Sequence, residues 1–156
     1  MKQVLIRSMA CLAIASIGTA ALAAQPTQPT EKDAIAMAER GAAFMKANGK
    51  EALMKKLAVK DPEFVQGELY VDMRDISTGI VIAHPINPSI VGKNLTDVPD
   101  ASGKVYRREI IELAAKQGKG WVDYMYKNPV SGKIEPKTTY ILRVGDVVLE
   151  AGIYRK

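Results

Sequence analysis

At Gly67 the spacing of the apolar residues changes from three and four to two, and that change limits the folds open to the chain. Before it, Ala34, Met37, Ala38, Gly41, Phe44 and Met45 fall on one side of a helix over 31–47, with Thr30 or Asp33 placed to cap its start. Asn48-Gly49 stops that helix, and a shorter one over 50–59 presents Leu53, Met54 and Leu57 before Asp61-Pro62 closes the section. After Gly67, Leu69, Val71 and Met73 alternate with Tyr70, Asp72 and Arg74, which predicts a strand. A second strand over 79–84 follows through a hairpin at 75–78, and the Pro- and Gly-rich stretch 85–103 predicts a long ordered loop. A helix over 104–117 precedes strands over 121–126, 137–144 and 147–154, the last two joined by Gly145-Asp146 as a type II′ turn. The short connections make the sheet antiparallel. The expected architecture is a single α+β domain, its long N-terminal helix covering one face of a roughly five-stranded sheet.

The first 23 residues do not belong to that domain. A short basic start with Lys2 and Arg7 leads into the apolar, small-residue run 9–23, which ends in Ala21-Leu22-Ala23. This is the pattern of a secretory signal peptide cut after Ala23, and it places the product in the periplasm or outside the cell. Residues 24–30 then form a polar, flexible leader, and the domain spans 31–156. Cys11, the sole cysteine, leaves with the signal, so neither a disulfide nor a thiolate site is expected. The net charge falls from +5 to +3, because Lys2 and Arg7 leave and no acid does. The remaining basic residues are scattered among acids, which argues against a nucleic-acid surface, and no later segment is apolar enough to span a membrane.

The motifs of catalysis are missing. One histidine and no cysteine in the exported chain leave little for zinc, and Asp97 and Asp100 make a poor calcium loop. No phosphate-binding Gly-rich loop and no G-x-S-x-G elbow occurs. The expectation is a non-enzyme without cofactor or metal.

The aromatic residues are unevenly placed. All six tyrosines and Trp121 lie between residues 70 and 154, with Trp121, Tyr124 and Tyr126 on one strand and Tyr140 on the next. Tyrosine suits half-buried strands in any protein, but tyrosine with histidine and lysine also gives a pocket both its walls and its donors.

Several spaced motifs carry a family resemblance: Phe64-Val65-x-Gly67-x-Leu69-Tyr70, Ala83-His84-Pro85-x-Asn87-Pro88, Val91-Gly92-Lys93-Asn94-Leu95 and Asp100-x-x-Gly103-Lys104. Gly120-Trp121-Val122-Asp123-Tyr124, Asn128-Pro129, Glu135-Pro136-Lys137-x-x-Tyr140 and Gly152-Ile153-Tyr154 complete the set. In this order they resemble the single-Cache family of extracytoplasmic sensor domains, over about residues 31–156. The resemblance implies a PAS-like sheet with a small-molecule pocket on the face opposite the long helix. Its ligands would be short carboxylates of the acetate, propionate, lactate or pyruvate class. Cache domains normally sit between the membrane helices of chemoreceptors and histidine kinases. With a cleavable leader, this chain is expected to be a stand-alone soluble form that could report to a membrane receptor or sensor kinase.

The expected ligand-binding residues are Tyr70, His84, Trp121, Tyr124, Tyr126, Lys137 and Tyr140. Lys137 supplies the charge a carboxylate needs on leaving water. His84, ending an apolar strand, fits the pocket mouth and a packed core position equally well. Alternation puts Trp121 on one face of its strand and Tyr124 and Tyr126 on the other. Which face lines the pocket stays open, and Trp121 joins as a wall only if a bulge follows Gly120. The alternative function is an exported partner-binding or structural protein whose Cache fold binds no metabolite.

Overall fold

The computed structural model describes residues 28–155. The expected signal peptide, and the expected leader up to residue 27, lie outside the described residues. Helix α1 (Glu31–Asn48) starts in a capping box, in which Thr30 Oγ1 accepts from Asp33 N–H and Asp33 accepts from Thr30 N–H, so both residues expected as caps act together. Gly49, at φ 89°, breaks the chain into α2 (Lys50–Ala58). Six strands follow: β1 (Val65–Gln66), β2 (Leu69–Asp75), β3 (Val81–Ala83), β4 (Lys119–Lys127), β5 (Ile134–Val144) and β6 (Val147–Tyr154). Helix α3 (Tyr106–Gln117) lies between β3 and β4. The strand beyond the expected five is β1, whose two residues are too few to show a period.

All pairings are antiparallel, in the order β1-β2-β6-β5-β4, with β3 on the same edge of β2 as β1. The β5–β6 turn has Gly145 at φ 64°, and Asp146 does not share the positive φ, as a type II′ turn requires. Residues 85–105 are tied back to the sheet: Gly92 N–H donates to Val81 O (2.8 Å), Val81 N–H to Lys93 O (3.1 Å), and Asn94 Nδ2 to Thr78 O (2.7 Å).

The sheet divides the molecule. One face carries Leu69, Val71 and Met73 of β2 and Val147, Leu149, Ala151 and Ile153 of β6, packed against Ala34, Met37, Ala38 and Met45 of α1. Gly41 of α1 lies over Leu149, Val71 and Leu53, where a Cβ would make ordinary van der Waals contact, 3.4 Å from Leu149 Cδ1. The other face carries the alternate residues. These are Tyr70, Asp72 and Arg74 on β2, Val148, Glu150 and Tyr154 on β6, Lys137 and Thr139 on β5, and Tyr124 and Tyr126 on β4. A surface face of this composition would be ordinary, but β2 and β6 are buried on both sides along almost their whole length. Helix α3 and the 85–105 segment cover the charged face.

Candidate functional site

Lys137 is the centre of that face. Its side chain crosses from β5 over Gly152 of β6, and its Nζ donates to Tyr70 Oη on β2 at 2.9 Å. The rings of Tyr70, Tyr154 and Tyr126 flank the ammonium, with centroids at 4.1, 5.1 and 5.3 Å. Glycine is required at 152 on steric grounds, because a Cβ would collide with Thr139 Oγ1 and Lys137 Cε. The lysine is only 2% exposed, and burial lowers its pKa to about 8, against the pull of Asp72, Glu150 and Glu68 in the other direction. It remains largely protonated at neutral pH.

His84 follows β3 and packs beside Tyr70, ring centroids 5.3 Å apart. Its Nδ1 accepts from Asn87 N–H at 3.0 Å. A backbone N–H can only donate, so the neutral ring carries its proton on Nε2, 3.3 Å from Tyr126 Oη. Burial, then the charge of Lys137, lowers the imidazole pKa to about 3. The 3.8 Å approach of Nε2 to Asp72 Oδ2 is therefore not an ion pair at neutral pH.

Beneath these residues, Asp72 and Glu150 stand directly opposite each other on β2 and β6. Arg74 holds Glu150 through two bonds, Nε to Oε1 at 2.7 Å and an Nη to Oε2 at 3.4 Å. Burial raises the pKa of both carboxyls, that of Asp72 to about 6 even though Lys137, Arg74 and Arg107 oppose it. The folded protein thus holds a proton on Asp72 that the unfolded chain has already lost between about pH 3.8 and 6. Stability assigned to this group falls as pH rises through that window. Asp72→Asn removes the effect, so its gain over wild type should be absent below about pH 4 and level off above about pH 6, on the order of 2 to 3 kcal/mol. Urea unfolding of both proteins across pH 3.5–7 measures it, and a pH-independent gain would mean that Asp72 does not titrate there.

Tyr124 bonds Thr139 Oγ1 through its hydroxyl (2.9 Å) and stacks on Tyr106 of α3 at 3.8 Å. Burial raises the pKa of Tyr70 and Tyr124, and pushes that of Tyr126 to about 12, so all three stay protonated donors. Next to Tyr126 opens a cavity of about 610 Å³, bounded by the 85–105 segment, the start of α3 and the outer half of β4. Arg107 is on its wall, with its guanidinium 4.3 Å above the Tyr106 ring. Among the described residues, no three His, Cys, Asp or Glu side chains gather in a metal-holding group. What the face offers is a set of hydrogen-bond donors: an ammonium, tyrosine hydroxyls, an imidazole Nε2–H and guanidinium groups.

Tyr70, His84, Tyr124, Tyr126 and Lys137 come together as one cluster. Trp121 and Tyr140 do not join it. The β4–β5 register runs unbroken from Lys119↔Leu142 to Lys127↔Ile134, so no bulge turns Trp121 around. Trp121 and Tyr140 pair with each other at a ring distance of 5.2 Å on the α1 face. Sequence reasoning missed Asp72, Arg74, Tyr106, Arg107, Glu150 and Tyr154. For Glu150 a signal existed: a lone carboxylate in the otherwise apolar run Val147–Tyr154 needs a buried partner. For Arg107, one more cation on an amphipathic helix, there was none.

The fold recurs in solved structures. A methyl-accepting chemotaxis protein from Vibrio parahaemolyticus RIMD 2210633 superposes with a TM-score of 0.67 at 27% identity, over 79% of this chain and 86% of that one. A periplasmic sensor domain of a chemotaxis protein gives 0.63 at 22% identity, over 80% and 90%. A Cache chemosensory domain, described for its carboxylic acid recognition, gives 0.61 at 22%, over 80% and 88%. The family model described as Single Cache domain 2 matches residues 27–155. Matched over most of its length, the chain belongs to the single Cache domain 2 family.

Proposed function

We propose that this protein is a non-catalytic extracytoplasmic module, periplasmic or secreted, that captures a short organic acid of the acetate, propionate, lactate or pyruvate class. It would present the bound state to a membrane receptor or sensor kinase. The observation that carries this reading is the Lys137 ammonium. It is buried, forms no salt bridge among the described residues, and has Tyr70 Oη as its hydrogen-bond acceptor there. An ammonium has three donors, and a carboxylate beside it would accept from those that Tyr70 does not use. Tyr126 Oη and His84 Nε2–H stand at the same place to fix orientation. The related Cache domain described for carboxylic acid recognition supports the ligand class, and the chemotaxis protein from Vibrio supports the sensory role. Among the described residues no helix is long and apolar enough to cross a membrane.

Thermal unfolding against a panel of short acids and amino acids tests the reading. A ligand at about a hundred times its Kd adds roughly 2.7 kcal/mol of stability. Lys137→Met should weaken the bound acid by about 1.5–3 kcal/mol, the range for a charge-assisted hydrogen bond, without lowering stability, since methionine fills the space without a buried charge. Unchanged affinity would remove Lys137 from the site.

The second reading, a partner-binding protein that takes no metabolite, draws on the close packing of the inner rings, Tyr106 on Tyr124 above all. A flat panel would favour it.

A further inference from the structure

We propose that capture of the ligand at the Lys137 cluster is coupled to proton uptake by the Asp72–Glu150 carboxyl pair, so that the module reads a short acid and the external acidity together. The inference rests on the proposed capture of an acid anion at Lys137 and adds the regulation of that site.

The geometry of the pair is the first argument. Asp72 of β2 and Glu150 of β6 stand directly opposite each other, 6% and 2% exposed, with their carboxyl groups within hydrogen-bonding reach. Two carboxyl oxygens bond only when one of them carries a proton, and like charges this close are costly away from water. Arg74 meets both oxygens of Glu150, which keeps the negative charge there. Among the described residues no lysine or arginine forms a salt bridge with Asp72, whose neighbour at 3.8 Å is Nε2 of the neutral His84 ring. The proton therefore goes to Asp72.

The charges around the pair are the second argument. Lys137, from β5, is the cation that most favours ionised Asp72, ahead of Arg74 on the same strand and Arg107 on α3. Tyr70, Tyr124, Tyr126 and Tyr154 share the face and stay protonated, as does Tyr106 of α3. Glu68, the acid just before β2, acts on Lys137. An anion set against the Lys137 ammonium would neutralise the charge that keeps Asp72 ionised and bring a further negative charge to the face. Both changes favour the protonated carboxyl.

The sign and the pH window follow. Binding is tightest where Asp72 is already protonated, below its pKa of about 6, and weakens as pH rises through that value. At pH 6.5 Lys137, with its pKa of about 8, is already charged, so a proton taken up there comes from the carboxyl pair.

Calorimetric titration of the protein at pH 6.5, in two buffers of different ionisation enthalpy, counts the protons. Acetate, propionate, lactate and pyruvate are the probes, all of them ionised at that pH. Wild type should take up more than about half a proton per acid bound, and its affinity should fall roughly tenfold between pH 5.5 and 7. Asp72→Asn should take up none, hold its affinity level over the same range, and bind about tenfold tighter than wild type at pH 7. No uptake by wild type, or uptake that persists in Asp72→Asn, would overturn the coupling while leaving the acid site in place. Failure of all four acids to bind would overturn the site and the coupling with it. The proton count uses wild type alone, so it decides the matter even if Asp72→Asn folds poorly.

Discussion

Replacing Arg74 with alanine should lower the unfolding free energy by about 3–5 kcal/mol, a fall in Tm of roughly 10–20 °C for a domain this size. Arg74 and Glu150 are 3% and 2% exposed, and the arginine meets both carboxylate oxygens. Burial alone would lower the Arg74 pKa, but Glu150 beside it raises it further, so the guanidinium stays charged. Without it, Glu150 faces Asp72 across the strand pair with no cation in contact. The loss should shrink toward acid pH, where Glu150 protonates. Arg74→Met with Glu150→Leu should recover most of the loss, because two apolar side chains remove the stranded charge together with its partner. A double variant as unstable as Arg74→Ala would mean that the pair's geometry, and not its charge, holds β2 to β6. Chemical denaturation of the three proteins at pH 7 and 4.5 decides between these.

Gly152→Ala should both destabilise the protein, by about 1–3 kcal/mol, and weaken the inner ligand at least tenfold. The added methyl would lie where Lys137 Cε and Thr139 Oγ1 already are, with Thr138 O at 3.1 Å. Lys137 would have to lift off the sheet and leave Tyr70. In a Lys137→Ala/Thr139→Ala background the two obstructing side chains are gone, and the stability cost of Gly152→Ala should largely vanish. A cost that stays the same would show that the strain arises in the backbone. Denaturant midpoint and ligand titration should fall together in the wild-type background, and the midpoint alone is compared in the Lys137→Ala/Thr139→Ala background, where the inner ligand's donor is already gone.

Much of the fold was legible because its signals are local. The heptad-like stripe in α1, the alternation in β2 and the Gly145-Asp146 turn each fit in a window of a dozen residues or fewer. The limit was pairing. Lys137 and Tyr70 are 67 positions apart, and Arg74 and Glu150 are 76, so no spacing rule connects them. The choice of face on β4 also depended on an unbroken register, which alternation alone cannot supply. Tyr124 and Tyr126 therefore sit with Lys137 because Trp121 faces α1. Arg107 stayed hidden because its buried setting, with Nη1 on Val98 O and Nε unpartnered, exists only once Val98 and the cavity are in place.

The position of Trp121 has a practical consequence for spectroscopy. The only tryptophan in the chain lies on the far side of the sheet from the cavity, against Tyr140 beneath α1. Its emission reports whether the helical layer is docked, so it is a good probe of unfolding and blind to simple occupancy. A ligand that changes tryptophan fluorescence has therefore altered the packing of the sheet against α1.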